Sequence, residues 1–174
     1  MIKKFELDLS SKITVFGIEL FRIKALISFS DVEKGELGGY VEKEENLSHS
    51  GDAWVYGNAR VYDDARVSGN ARVSGDAWVY GNARVYDDAE VSGDAEVSGD
   101  AEVSKLNDYI VFKNNWSSGR YFTYTRSNKM WRVGCFYGTS EELIKKAYQD
   151  SEDSGRHYEA YVNFVKTLEA LGDK

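Results

Sequence analysis

From Gly51 to Ser104 the chain repeats itself every six residues, nine times without a break: GDAWVY, GNARVY, DDARVS, GNARVS, GDAWVY, GNARVY, DDAEVS, GDAEVS, GDAEVS. Ala holds the third position of every hexad, from Ala53 to Ala101, and Val the fifth, from Val55 to Val103. Two residues apart in an extended segment, they point to the same side, while the residues between and after them point outward. The Gly or Asp that opens each hexad, and the Asp or Asn that follows, are corner chemistry: they tolerate positive φ and bond their own backbone. One hexad cannot bury its own Ala and Val, but stacked coils can, along a continuous interior column. Residues 51–74 and 75–98 differ only at Arg66/Glu90, Asn70/Asp94 and Arg72/Glu96, which marks an internal duplication.

The hexads resemble the hexapeptide-repeat family, whose fold is a left-handed parallel β-helix with three hexads to each triangular coil. The left hand is implied by that resemblance, since general crossover rules favour the right. Three hexads per coil predict stacking neighbours eighteen residues apart. Arg72 then lies above Glu90, Arg84 above Glu102, Trp54 beside Arg72 and Arg60 beside Trp78, as ion pairs and cation–π contacts on the outer wall. Alignment of coils and solubility are the plain reading of these pairs. Val41 and Leu47 keep the spacing of six, but Leu47 to Val55 is eight, so a two-residue insertion is expected between an irregular first coil and the regular ones. The same resemblance implies a homotrimer. Outward Trp54, Trp78, Tyr56, Tyr62, Tyr80 and Tyr86 amount to more aromatic surface than a monomer normally shows. Tyr62 and Tyr80 fall on one wall beside Trp78, the expected oligomer interface.

Flanking segments complete the layout. Residues 1–36 carry the β-rich apolar runs Ile13–Phe16 and Ile18–Phe29 and are expected to form an N-terminal β cap with a hairpin around Gly17. The helix proper is assigned to 37–104. Leu20-Phe-Arg-Ile-Lys-Ala-Leu, Gly35-Glu-Leu-Gly-Gly-Tyr-Val and Asn46-Leu-Ser-His-Ser-Gly-Asp-Ala-Trp-Val are similar to a group of phage and prophage hexapeptide-repeat proteins. Those proteins are named only as transferases or polymer-forming proteins. After Ser104 the period stops, and 105–174 is expected to be an α+β domain of order β-β-β-α-α that caps the helix end. Its strands are read at Tyr109–Lys113, Arg120–Thr125 and Met130–Phe136. Thr139-Ser140-Glu141-Glu142 is a capping box opening the first helix. A second helix near Arg156 carries Tyr158, Tyr161, Val162, Val165 and Leu168 on one face. The fold class is therefore mainly β.

The net charge of −7 is unevenly spread. The repeats carry 4 basic and 11 acidic side chains, whereas 105–132 carry 6 basic and only Asp108 acidic. An acidic rod argues against direct nucleic-acid binding through the repeats. One cysteine, Cys135, excludes an intramolecular disulfide and a cysteine-based metal cluster, which fits a reducing cytoplasm, here that of a host bacterium. No apolar run suits a signal peptide or a membrane span.

Three kinds of chemistry are considered. Many hexapeptide-repeat enzymes, by resemblance, are acyltransferases with a His general base. This chain offers His49, in the insertion, and His157, in the last helix. No protruding loop builds an acceptor pocket, and a solvent-exposed turn is the simpler setting for His49. No catalytic residue, metal or cofactor is assigned. The second is ligand binding by the C-terminal domain. Lys113, Trp116, Ser117, Ser118, Arg120, Tyr124, Arg126, Trp131 and Arg132 interleave aromatics with cations and hydroxyls. Cations and loop N–H groups suit phosphate, and the rings suit a base. Against this stands the reading that the aromatics are core and the cations solvate a sheet face. The third is mimicry of duplex phosphates by Glu90, Glu96, Glu102, Asp87, Asp88, Asp94 and Asp100. The favoured expectation is a non-enzymatic phage-type protein that binds a host partner or a small nucleotide-like anion, possessing no membrane segment. An acyltransferase-like enzyme and an acidic DNA mimic are the alternatives.

Overall fold

The computed structural model describes residues 2–172, which divide into two compact units after Asp108. In the first, β1 (Phe5–Val15) and β2 (Ile18–Ala25) form a hairpin around Phe16 and Gly17, both at positive φ (49° and 85°). Such a two-residue turn has the twist that hairpins favour. β2 then pairs antiparallel with β3 (Leu37–Val41), placing Phe21 opposite Val41. From there every pairing is parallel. The nine hexads give nine two-residue strands: β4 (Trp54–Val55), β5 (Arg60–Val61), β6 (Arg66–Val67), β7 (Arg72–Val73), β8 (Trp78–Val79), β9 (Arg84–Val85), β10 (Glu90–Val91), β11 (Glu96–Val97) and β12 (Glu102–Val103).

They stack as three walls, β3-β5-β8-β11, β4-β7-β10 and β6-β9-β12, making a β-solenoid of about four turns. Every repeat Ala and Val is 0–1% exposed, so the hexad pattern is the core itself. Val55 stands over Val73, eighteen positions on, but Val41 stands over Val61 and Leu47 over Val67, twenty positions on. The two-residue insertion therefore lies between Leu47 and Val55, as the spacing predicts. Coil-to-coil bonds such as Arg60 N–H to Ala77 O (2.9 Å) tie the walls together. All nine corner positions that open a hexad have positive φ, seven as Gly and two as Asp63 and Asp87. At Gly69 a Cβ would lie 2.7 Å from the Asp87 backbone nitrogen, so both conformation and space demand glycine.

The predicted outward neighbours are in register: Arg72 between Trp54 and Glu90, Arg84 beside Glu102, and Arg60 beside Trp78 with its guanidinium 4.8 Å from the ring centre. Trp54 departs from expectation. It points out of the coil but is wholly buried, because Phe29 (5.4 Å) and Phe5 (6.2 Å) of the N-terminal segment lie on it. Arg72 accordingly turns to Asp31, which takes two bonds at 3.0 and 2.8 Å. Another wall is padded too: Phe16 reaches Trp78 at 5.9 Å, and Tyr62, 5% exposed, stacks parallel on Tyr80 at 5.0 Å. Within one chain, then, much of the aromatic surface has a partner.

The second unit is a four-stranded antiparallel meander, β13 (Tyr109–Lys113), β14 (Tyr121–Thr125), β15 (Met130–Val133) and β16 (Phe136–Gly138), followed by α1 (Ser140–Asp150) and α2 (Glu152–Leu171). The sequence reading merged the last two strands. Gly134, at φ 56°, turns the chain there and sets Val133 opposite Phe136. The capping box forms: Thr139 accepts the Glu142 N–H (3.3 Å) and Glu142 accepts that of Thr139 (2.8 Å). α2 starts earlier than expected because Ser151 serves both helices. Its N–H donates to Ala147 O (3.1 Å), closing α1, and its hydroxyl accepts the Ser154 N–H (3.0 Å), opening α2. Phe122, Tyr124, Trp131 and Val133 pack against Leu143, Ala147, Tyr158, Val162 and Val165 as the core. No helix among the described residues is long and apolar enough to cross a membrane.

Candidate functional site

β13 and β14 are joined by a loop built around Asn114. Wholly buried, its amide donates to the hydroxyls of Ser117 (2.7 Å) and Ser118 (3.2 Å), and its carbonyl accepts the N–H groups of Trp116 (3.2 Å) and Ser117 (3.1 Å). Gly119 closes the loop through its N–H to Asn114 O (2.8 Å). Ser117 and Ser118 are thus engaged by the loop itself instead of forming an open phosphate cradle. The same framework holds Trp116 outward, 80% exposed. Lys113, just before the loop, holds its ammonium 5.5 Å from the centre of the Tyr121 ring, and Arg120 lies along the turn at Gly134. Of the nine residues expected to bind a ligand, this end of the sheet gathers Lys113, Trp116, Ser117, Ser118 and Arg120.

The other four are elsewhere. Tyr124 and Trp131, 3% and 0% exposed, sit on the helix-facing side of the sheet as core residues, so neither ring is open for stacking. Arg126 follows the opposite end of β14, and Arg132 lies on the face of β15 away from Trp131, opposite Thr123 and Tyr137. Alternation along β14 and β15 sets two faces, but the sequence pattern does not say which one the helices cover.

The buried pair borders a cleft of about 360 Å³ between β14, β15 and the two helices. Tyr124 donates to Glu169 (2.9 Å) and the Trp131 indole N–H to Ser140 (3.0 Å). Burial, reinforced by the Glu169 carboxylate, pushes the Tyr124 hydroxyl far above the usual phenol range. Lys166 faces Glu141 at 3.6 Å across the rim, and Asn128 and Lys129 complete it. Sequence reasoning missed this cleft, since Thr139 and Ser140 signalled only a helix start.

His49 is not the solvent-exposed turn residue expected. Its ring stacks on Phe5 at 4.3 Å, and its side chain is only 19% exposed. Nδ1 accepts the Lys4 backbone N–H (3.2 Å), so in the neutral ring the proton sits on Nε2, 3.6 Å from Glu44. The neighbouring Lys4 was also missed. Only 2% exposed, its ammonium donates to Gly51 O (3.1 Å) and Ala53 O (2.8 Å). Burial lowers its pKa to about 8, against the opposing pull of Asp52. His157 contacts Asp153 O (2.8 Å), one turn back on α2.

The rod can be set beside known proteins. The family model described as YdcK Beta solenoid repeat matches residues 65–81 and 77–93. Over 60 residues the chain is 37% identical to a protein of Escherichia coli (strain K12) named "Uncharacterized acetyltransferase YdcK". The aligned stretch covers 34% of this chain and 18% of that relative. Both matches support a hexapeptide-repeat β-solenoid.

Proposed function

We propose that the chain is a non-catalytic binding protein in which the solenoid is the scaffold and the Lys113–Arg120 end of the C-terminal sheet is the contact surface for a small nucleotide-like anion. The observation that carries this reading is Trp116. A large aromatic 80% exposed is held out by a loop whose serines and amides are bonded to Asn114 and whose ends are Lys113 and Arg120. Rigid indole surface on a loop that Lys and Arg bound suits a stacked base with a charged phosphate. The Lys4 N–H held on His49 Nδ1, and the stacking of that ring on Phe5, support a non-catalytic role. A homotrimer and a host partner for a phage-borne protein belong to the same proposal and rest on the sequence resemblance.

Native mass spectrometry of the full chain with a panel of nucleotides tests it. A bound nucleotide on the parent that is lost from Trp116→Ala and Arg120→Ala supports the site, and the same spectrum reads the oligomer. Undiminished binding by both variants, or no nucleotide bound by the parent, overturns it.

A second reading, acyl transfer, is favoured by the acetyltransferase name of the E. coli relative. Acetyl-CoA turnover that His49→Ala abolishes would establish it in place of the first.

A further inference from the structure

On the three walls of the solenoid, the outward residues at strand positions follow one another up the rod as Tyr40, Arg60, Trp78, Glu96; Trp54, Arg72, Glu90; and Arg66, Arg84, Glu102. Neighbours in these ladders stand roughly 4.8 Å apart. In these ladders Arg66 and Arg84 are like charges in direct register; Glu102 stands next to Arg84 on its other side, so the ladder sets no acid beside Arg66. The internal duplication makes the contrast sharper. Positions 66 and 72 return as Glu90 and Glu96, which puts an acid above Arg72, whereas Arg60 returns unchanged as Arg84, directly above Arg66.

Among the described residues, the ring and ion-pair contacts of the N-terminal segment with the nine hexads fall on the other two walls. Phe29 and Asp31 cover the Trp54–Arg72 wall, and Phe16 meets Trp78 on another. Arg66 and Arg84 are exposed. Asp64, beside Arg66, is bonded to Lys43 at 2.9 Å. A groove of about 550 Å³ runs past the pair, lined also by Ser68, Tyr86, Asp87 and Glu102.

We propose that this groove is an anion site, separate from the Trp116 surface, for a phosphate monoester whose organic part carries hydroxyl groups. Two adjacent guanidiniums offer forked donors to the oxygens of one phosphate, and the phosphate relieves their mutual repulsion. Ser68 adds a neutral donor. The groove is several times larger than a phosphate, and its carboxylates, Asp87 and Glu102, accept from sugar-type hydroxyls. The same carboxylates disfavour a continuous polyanion such as a nucleic-acid backbone, so the ligand class is small and singly phosphorylated.

Isothermal titration of the full chain with ribose phosphate, inorganic phosphate and ribose tests this. Ribose phosphate is expected to bind, inorganic phosphate to bind more weakly, and ribose not at all. Arg66→Gln and Arg84→Gln should each weaken ribose phosphate binding about tenfold, while Arg156→Gln, on the exposed face of α2, should leave it unchanged. Circular dichroism confirms that these surface variants stay folded. Absence of ribose phosphate binding, or full binding by the Arg66→Gln/Arg84→Gln double variant, overturns the site. Binding that is lost in Arg120→Gln and kept in the Arg66→Gln/Arg84→Gln double variant would place the ligand at the Trp116 surface and overturn the groove while leaving that reading standing.

Discussion

The rod and the C-terminal unit bury apolar surface by opposite means. In the rod the interior is made of the two smallest useful apolar residues, Ala and Val, repeated so that each contacts mainly the coil above and below. In the C-terminal unit nine side chains of mixed shape, among them Phe122, Tyr124, Trp131 and Tyr158, meet in one cluster. Stability in the first is spread along the axis; in the second it converges on a few rings. The difference decides how each answers to damage and how far each can be read from sequence.

The largest effect should come from the cluster. Trp131→Ala removes a fully buried indole and should cost about 3–5 kcal/mol, whereas Val79→Ala in the middle of the rod should cost about 2 kcal/mol. Urea unfolding of the two variants would break the comparison if Val79→Ala proved the costlier.

Next comes Lys4, whose ammonium pins the N-terminal segment to the first coil. Its pKa is lowered on folding to about 8, so between pH 8 and its unfolded value of 10.5 the unfolded chain binds more protons and stability rises with pH. Lys4 should therefore make the urea midpoint climb from pH 8 to 9.5 relative to Lys4→Met. Parallel pH profiles for the two proteins would show that the burial carries no such linkage.

Corner glycines give a finer contrast. Gly69→Ala meets positive φ and the Asp87 backbone at 2.7 Å, while Gly93→Ala meets positive φ with open space around it. Gly93→Ala should cost about 1–2 kcal/mol, and Gly69→Ala clearly more; equal melting temperatures would remove the packing argument. Smallest is Asp31→Asn, which weakens a half-exposed pair with Arg72 and should cost about 0.5 kcal/mol, fading in high salt. A double-mutant cycle with Arg72→Gln would measure it.

Legibility followed the same division. Within the rod, position modulo six gives the direction of a side chain and position modulo eighteen names its neighbour, so Arg60 beside Trp78 and the insertion after Leu47 were readable before any coordinates. Trp54 was not, because what covers it comes from Phe5 and Phe29, and the repeat carries no record of distant partners. In the C-terminal unit alternation identified two faces of β14 but could not say which one α2 would cover, and so Tyr124 and Trp131 were read as ligand platforms. The stripe Tyr158, Val162, Val165 was the available clue, since such a stripe requires an apolar sheet face to meet it. Lys4 and the cleft at Glu169 depend on contacts that no local pattern encodes.

The near-identity of 51–74 and 75–98 bears on how such a rod can change over time. The copied length is four hexads, but a coil is three. Each duplication therefore adds sound core while turning the copied exterior one face around the axis, as the thread of a screw advances. A surface that Arg60 shares with an aromatic ring on one side reappears as Arg84 on the next, beside a different set of residues. Growth by this step lengthens the interior without alteration and gives every copied patch a new context, and only after three steps would a patch return to its original side.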